Sequence, residues 1–180
     1  MASTTQHLTI DDFERLPAEV AEGHELVDGK LIDVSGNNLQ HNSIKMQLSA
    51  LLYQSVLSRR LGQVLTEQEY DFDGNAHGPD ISFFGPNKQS LADPGKRVQR
   101  FVPDLAIEIV SPNDTFTSLL RKKERYRGCG TAEVWIIAPE TREVMVYSAG
   151  GDRILRQDAE LSTELMPGFR LPVKNLFETD

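Results

Sequence analysis

Between Pro103 and Pro139 the chain spells a strand, a helix and a second strand with almost no spare residues. This stretch limits the topology more than any other. Leu105-Ala106-Ile107-Glu108-Ile109-Val110 reads as a buried strand, closed by Ser111-Pro112. Asn113 or Asp114 is placed to cap a helix reaching about Arg127, which Gly128 and Gly130 stop. Residues 132–138 are apolar and β-branched, as a second central strand requires. Short connections around one helix imply a right-handed crossover and two parallel strands.

The flanking segments add mixed elements. Thr9-Ile10-Asp11-Asp12 looks like an N-cap and acidic first turn of a short helix ending near Pro17. His24-Glu25-Leu26-Val27 and Lys30-Leu31-Ile32-Asp33-Val34 form a hairpin, because Asp28-Gly29 supplies the positive φ of a tight turn. Asn37 or Asn38 caps a long helix to about Leu61, with Ile44, Leu48, Leu51, Leu52 and Val56 on its apolar face. Strands are expected at 63–70 and 80–84, and antiparallel edge strands at 143–148 and 153–157. Residues 85–100 are polar, hold Pro86, Pro94 and Gly95, and read as a long mobile loop carrying Lys88, Lys96, Arg97 and Arg100. The fold class expected is mixed α/β (α+β), a mixed sheet flanked by helices.

A length of 180 residues suits one domain with one sizeable core. Cys129 is the only cysteine, which excludes a disulfide scaffold and a thiolate zinc site within one chain. No apolar run approaches a membrane span, and Met1 to Thr9 lacks the apolar segment of a secretory signal. A cytoplasmic protein is the expectation. With 19 Lys+Arg against 27 Asp+Glu, the formal charge of −8 argues against coating nucleic acid non-specifically. It leaves open a nuclease whose carboxylates bind metal ions.

Glu108 stands inside an otherwise apolar strand. A buried ionised carboxylate is costly unless it is paired, hydrogen-bonded or on a metal. Strand alternation puts Glu108 on one face with Asp104, Ala106 and Val110, while Leu105, Ile107 and Ile109 fill the other. Asp80 opens the apolar stretch Ile81-Ser82-Phe83-Phe84, so two carboxylates from neighbouring strands can converge on one hard cation. The competing reading pairs Glu108 with an arginine and leaves Asp80 as a strand start after a turn proline. Lys122 bears on that choice. Three residues of strand advance about 10 Å from Glu108 to Ser111, and eight residues of helix return about 12 Å from Asp114 to Lys122. Lys122 is therefore nearly level with Glu108 and, if on the right face of the helix, can reach it. Arg121, Lys123, Arg125 and Arg127 read instead as a solvated cationic helix end. Two carboxylates and a lysine form a toolkit for phosphodiester hydrolysis.

Pro79-Asp80, the stretch from Pro103 to Pro112, Lys122, Tyr126, Gly130 and Glu133-Val134-Trp135 together resemble the Uma-two family. That family belongs to the restriction-endonuclease-like superfamily with the PD-(D/E)xK motif. Glu25-Leu26-Val27-Asp28-Gly29, His41 and Pro167-Gly168-Phe169 extend the likeness nearly end to end. The resemblance implies a restriction-endonuclease-like core over residues 1–180 and Mg²⁺-dependent cleavage of DNA, with Mn²⁺ as a substitute. It makes Asp80 and Glu108 the metal-binding acids. Val110 stands where the motif lysine would fall, and the resemblance assigns that lysine to Lys122, which orients or activates the attacking water. Glu25 and His41 are auxiliary residues on this reading; the bland alternatives are a hairpin carboxylate and a first-turn capping group. Asp104 is either a third ligand or a strand-start residue. Lys96, Arg97 and Arg100 are expected to contact the phosphate backbone, and a homodimer is expected. The rival expectation is a catalytically silent nuclease-fold module for nucleic-acid or protein interaction.

Other chemistries lack their patterns. His7, His24, His41 and His77 have no metal-ligand spacing, and there is no G-x-S-x-G elbow or phosphate-binding P-loop. Asp73-Gly74-Asn75 lacks the terminal glutamate of a calcium loop and reads as a turn.

Overall fold

The computed structural model describes residues 7–178. Residues 1–6, part of the stretch read above for a leader, lie outside the described residues. The chain runs α1 (Ile10–Glu14), α2 (Ala18–Ala21), β1 (His24–Val27), β2 (Lys30–Asp33), α3 (Leu39–Leu57), β3 (Gln63–Thr66), β4 (Glu69–Asp71), β5 (Ala76–His77), β6 (Ile81–Phe84) and β7 (Val98–Gln99). It continues with β8 (Leu105–Ile109), α4 (Phe116–Gly128), β9 (Glu133–Ala138), β10 (Glu143–Ser148), β11 (Arg153–Leu155), β12 (Glu160–Ser162) and β13 (Arg170–Pro172). The main sheet has the order β11-β10-β9-β8-β6-β3, the second β2-β1-β5-β4-β7, and β12 pairs with β13. The main sheet is mixed, as expected. Within it β8 and β9 are parallel around α4 and its other neighbouring strands are antiparallel, while in the second sheet β4 and β7 are parallel.

Strand alternation divides the interior. Leu105, Ile107 and Ile109 pack under α3, against Ile44, Leu48, Leu52 and Val56. The C-terminal residues Leu161, Met166, Phe169, Leu171 and Val173 complete that layer. Ala106, on the opposite face, packs with Tyr126 of α4 and with Tyr70, Phe72, Phe84 and Phe101. A third cluster joins α1 and α2 to the second sheet through Phe13, Ala21, Leu26, Ala76 and Val98. Glu108 shares the Ala106 face, so its carboxylate points toward α4 and the second sheet.

Several local expectations hold and several change. Asp28 (φ 48°) and Gly29 (φ 74°) form the predicted hairpin turn, and Asn38 caps α3 through His41 N at 2.8 Å. The single strand expected over 63–70 is two strands in two sheets. Glu67, at φ 55°, turns the chain between them. The cap of α4 is Thr115, in a reciprocal capping box with Ser118, because Asp114 is already committed to Ser111 N (2.8 Å) and Ser111 Oγ (2.9 Å).

Residues 85–100 are not the long unstructured loop expected. They contain a 3₁₀ turn, Pro86–Leu91, and β7. Buried Gln99 fastens the intervening segment, donating to the carbonyls of Asp93 and Lys96 (2.9 Å each) and accepting from Asp93 N (2.9 Å).

Candidate active site

In the β6–β8 ladder Ile81 faces Ile107, so one step further Asp80 faces Glu108. Asp80 accepts Ile109 N on one oxygen (2.7 Å) and lies 3.1 Å from His41 Nε2 with the other. His41 reaches it from the first turn of α3, and its Nδ1 is buried without a partner among the described residues. Glu108 accepts from Tyr126 Oη (2.6 Å) and from Lys122 Nζ (3.3 Å). Leu119, Lys122 and Tyr126 lie on one stripe of α4, the stripe whose apolar members are buried. The helix therefore carries Lys122 to the sheet, as the rise arithmetic predicts.

Lys122 donates equally to Glu25 of β1, at 3.0 Å. Glu25 is buried and also accepts from Gly78 N (3.2 Å) and from His77 Nδ1 (2.9 Å). His77 Nε2 faces Arg125 Nη1 at 3.1 Å. A guanidinium can only donate, so Nε2 is the acceptor and the ring proton sits on Nδ1, directed at Glu25. Arg125 also pairs with Asp28 in the hairpin turn (2.9 Å). These groups line a cleft of about 1190 Å³.

A family model, Uma2, described as "Putative restriction endonuclease", matches residues 10–174. The chain belongs to the Uma2 family. A crystal structure from Anabaena variabilis, described as "a putative nuclease belonging to DUF820", is 25% identical, with a TM-score of 0.83 over 94% of this chain and 97% of that one. No curated protein matches. Both descriptions name nucleases, and a nuclease is the functional class they support. The Uma2 chain thus has the nuclease-like mixed α/β fold expected from its sequence.

Burial and charge act on the two glutamates in opposite senses. Burial pushes the Glu108 carboxyl up, and although Lys122 opposes this, the charges of Asp80 and Glu25 add to it, leaving a pKa of about 7. Burial would raise Glu25 as well, but Lys122 and the His77 hydrogen bond outweigh it and hold the carboxyl at about 2. Burial works against the Lys122 charge, yet Glu108 and Glu25 on either side raise its pKa above the ordinary lysine value. Burial lowers His77, consistent with a neutral ring. For His41, Asp80 more than offsets burial and the pKa rises.

The donor set suits a hard divalent cation. Asp80, Glu108 and Glu25 bring three carboxylates around a single lysine, so negative charge exceeds what the lysine balances. Among the described residues no group of three or more His, Cys, Asp or Glu side chains is arranged to hold a metal ion by itself. Mg²⁺ does not need such a group, since one or two carboxylates completed by waters and substrate phosphate oxygens are its usual protein ligands.

The remaining sequence candidates lie elsewhere. Asp104 is not beside Glu108 but four residues away, about 13 Å of strand. It pairs with Lys88 Nζ (2.6 Å) and accepts Gly85 N (2.8 Å), fastening the 85–100 segment. Each of the three cations expected at a phosphate backbone has a carboxylate partner in the free protein. Lys96 pairs with Glu14 (3.4 Å), and Arg97 clasps Glu69 through two bonds of 2.6 Å while covering the Phe13 ring. Arg100 pairs with Asp11 and with Asp71 (3.1 Å). Of the three only Arg97 borders the cleft. His77 was missed, because its strand is two residues long and its partners come from β1 and α4. Its position three residues before Asp80 was the available signal.

Proposed function

We propose that this Uma2 chain is a Mg²⁺-dependent endonuclease that hydrolyses DNA phosphodiester bonds. The observation that carries this reading is the pairing of Asp80 opposite Glu108 on adjacent strands, with Lys122 Nζ 3.3 Å from Glu108, in an open cleft. Asp80 and Glu108 would hold the cation. When bound, Mg²⁺ polarises a phosphoryl oxygen and lowers the pKa of a water.

The protein's own groups supply the geometry. His41 and the Ile109 amide each take one Asp80 oxygen, which fixes the plane of that carboxylate. Tyr126 does the same for Glu108. Lys122 keeps its proton between two carboxylates, so it is a donor and not a base. Its part is to orient the attacking water or hold a developing negative charge on a phosphate oxygen. Glu25, itself held by His77 and Gly78 N, positions the lysine.

Supercoiled plasmid nicking tests the reading. Wild type with Mg²⁺ or Mn²⁺ should nick, and Glu108→Gln and Asp80→Asn should not. Full activity in Glu108→Gln would refute it, and a silent module would neither bind metal nor nick.

A further inference from the structure

The cleft has two walls, tied together at both ends. One is the hairpin β1–β2 with its exit; the other is α4. At one end Asn113 Nδ2 donates to Ser35 O (3.2 Å), and at the other Arg125 pairs with Asp28 (2.9 Å). From Thr115 to Arg125 the helical wall is about 15 Å long, room for no more than about four nucleotides even at the roughly 3.4 Å rise of stacked duplex DNA.

The walls differ in chemistry. The hairpin presents Ile32 and Val34, 44% and 41% exposed although apolar. The helix presents Ser118, Arg121, Lys122 and Arg125. Nine acidic residues border the cleft against four Lys or Arg. Three of those cations have carboxylate partners: Arg97 on Glu69, Lys122 on Glu25 and Glu108, Arg125 on Asp28. Arg121 is exposed, has no ion pair or hydrogen bond through its guanidinium among the described residues, and directly precedes Lys122.

We infer that the substrate enters this cleft as an unpaired strand, with Arg121 holding a phosphate and Ile32 and Val34 covering a base or sugar. The inference rests on the nuclease reading of the site. A slot tied at both ends admits a short unpaired segment, such as torsional stress opens in a negatively supercoiled plasmid, and excludes a relaxed through-running duplex. A cleft with one unpartnered cation also cannot neutralise the many phosphates that a duplex-tracking protein contacts. An arginine on one wall and apolar side chains on the other match the two faces of a single nucleotide strand.

The test is fluorescence anisotropy with a short phosphorothioate-linked oligonucleotide, single-stranded and as a duplex, in Mg²⁺ across a salt series. The single strand should bind more tightly. Arg121→Gln should weaken it about tenfold, the worth of one charge-assisted hydrogen bond, and flatten the log–log salt slope by about 0.7, one phosphate on a single strand. Arg121→Lys should restore the slope, and Ile32→Asn should weaken binding with the slope unchanged. Tighter duplex binding, or an Arg121→Gln protein with wild-type affinity and slope, overturns the inference. Mn²⁺ calorimetry and nicking on the same samples separate the two claims. A protein that binds metal and cleaves while Arg121→Gln behaves as wild type refutes only the strand inference. One that neither binds metal nor cleaves refutes the nuclease reading beneath it.

Discussion

Replacing Glu108 by Gln should stabilise the metal-free protein, and replacing Glu25 by Gln should destabilise it, although both glutamates hold the same lysine. Glu108 has its carboxyl raised from 4.5 to about 7. Between those values the folded protein binds more protons than the unfolded chain, so its stability falls as pH rises through the window. A difference of about 2.5 pK units corresponds to roughly 3 kcal/mol at 1.36 kcal/mol per unit. Gln imitates the neutral acid in shape and can still accept from Tyr126, so Glu108→Gln should recover most of that amount at about pH 8. Glu25 is lowered from 4.5 to about 2, which gives the opposite sign. Its stabilisation is present above about 4.5 and lost as pH falls through 2, and Glu25→Gln forfeits roughly 3 kcal/mol at about pH 8. For a chain of this size each kcal/mol moves Tm by about 2–4 °C, so the two variants should flank wild type by about 6–12 °C on either side. Urea and thermal unfolding in chelator at about pH 8 and pH 5 provide the assay, and the Glu108→Gln gain should shrink at the lower pH. A Glu108→Gln protein less stable than wild type at the higher pH would refute the reasoning. It would mean that the network stabilises the Glu108 charge instead of tolerating it.

Lys122→Met should reduce nicking at least 100-fold, a typical loss for one charge-stabilising donor, while calorimetry shows Mn²⁺ still binding at Asp80 and Glu108. Tyr126→Phe should cost about 1.5–3 kcal/mol in urea unfolding, the worth of a hydrogen bond to a charged group. Asp104→Asn should leave both metal binding and nicking at wild-type levels, because Asp104 holds Lys88 and Gly85 far from the cleft. Leu52→Ala, beneath the sheet on α3, should cost about 2–5 kcal/mol in urea unfolding.

The readable parts of this molecule are those whose partners are near in sequence or whose chemistry clashes with its surroundings. The Asp28-Gly29 turn has one geometry open to it. Glu108 stands out because an apolar strand has no use for a carboxylate, and Lys122 could be placed against it from strand and helix rise alone. Asp80 followed as the neighbouring strand's acid. The rest depended on long-range pairing. Lys96, Arg97 and Arg100 look like free cations until Glu14, Glu69, Asp11 and Asp71 approach from other segments. The β3–β4 break rests on one positive φ at Glu67, a residue with no turn signature. His77 acquires its role only when β1 and α4 meet around it. The choice of Thr115 over Asn113 or Asp114 as cap reflects three consecutive competent residues, with the decision made by Ser111.

The most direct test of the central claim is Mn²⁺ or Mg²⁺ calorimetry on wild type and Glu108→Gln, with plasmid nicking measured on the same samples. The account predicts a metal site and nicking in wild type, and loss of both in the folded variant. A wild-type protein that binds no divalent cation, or a variant that binds and nicks as wild type does, would contradict it.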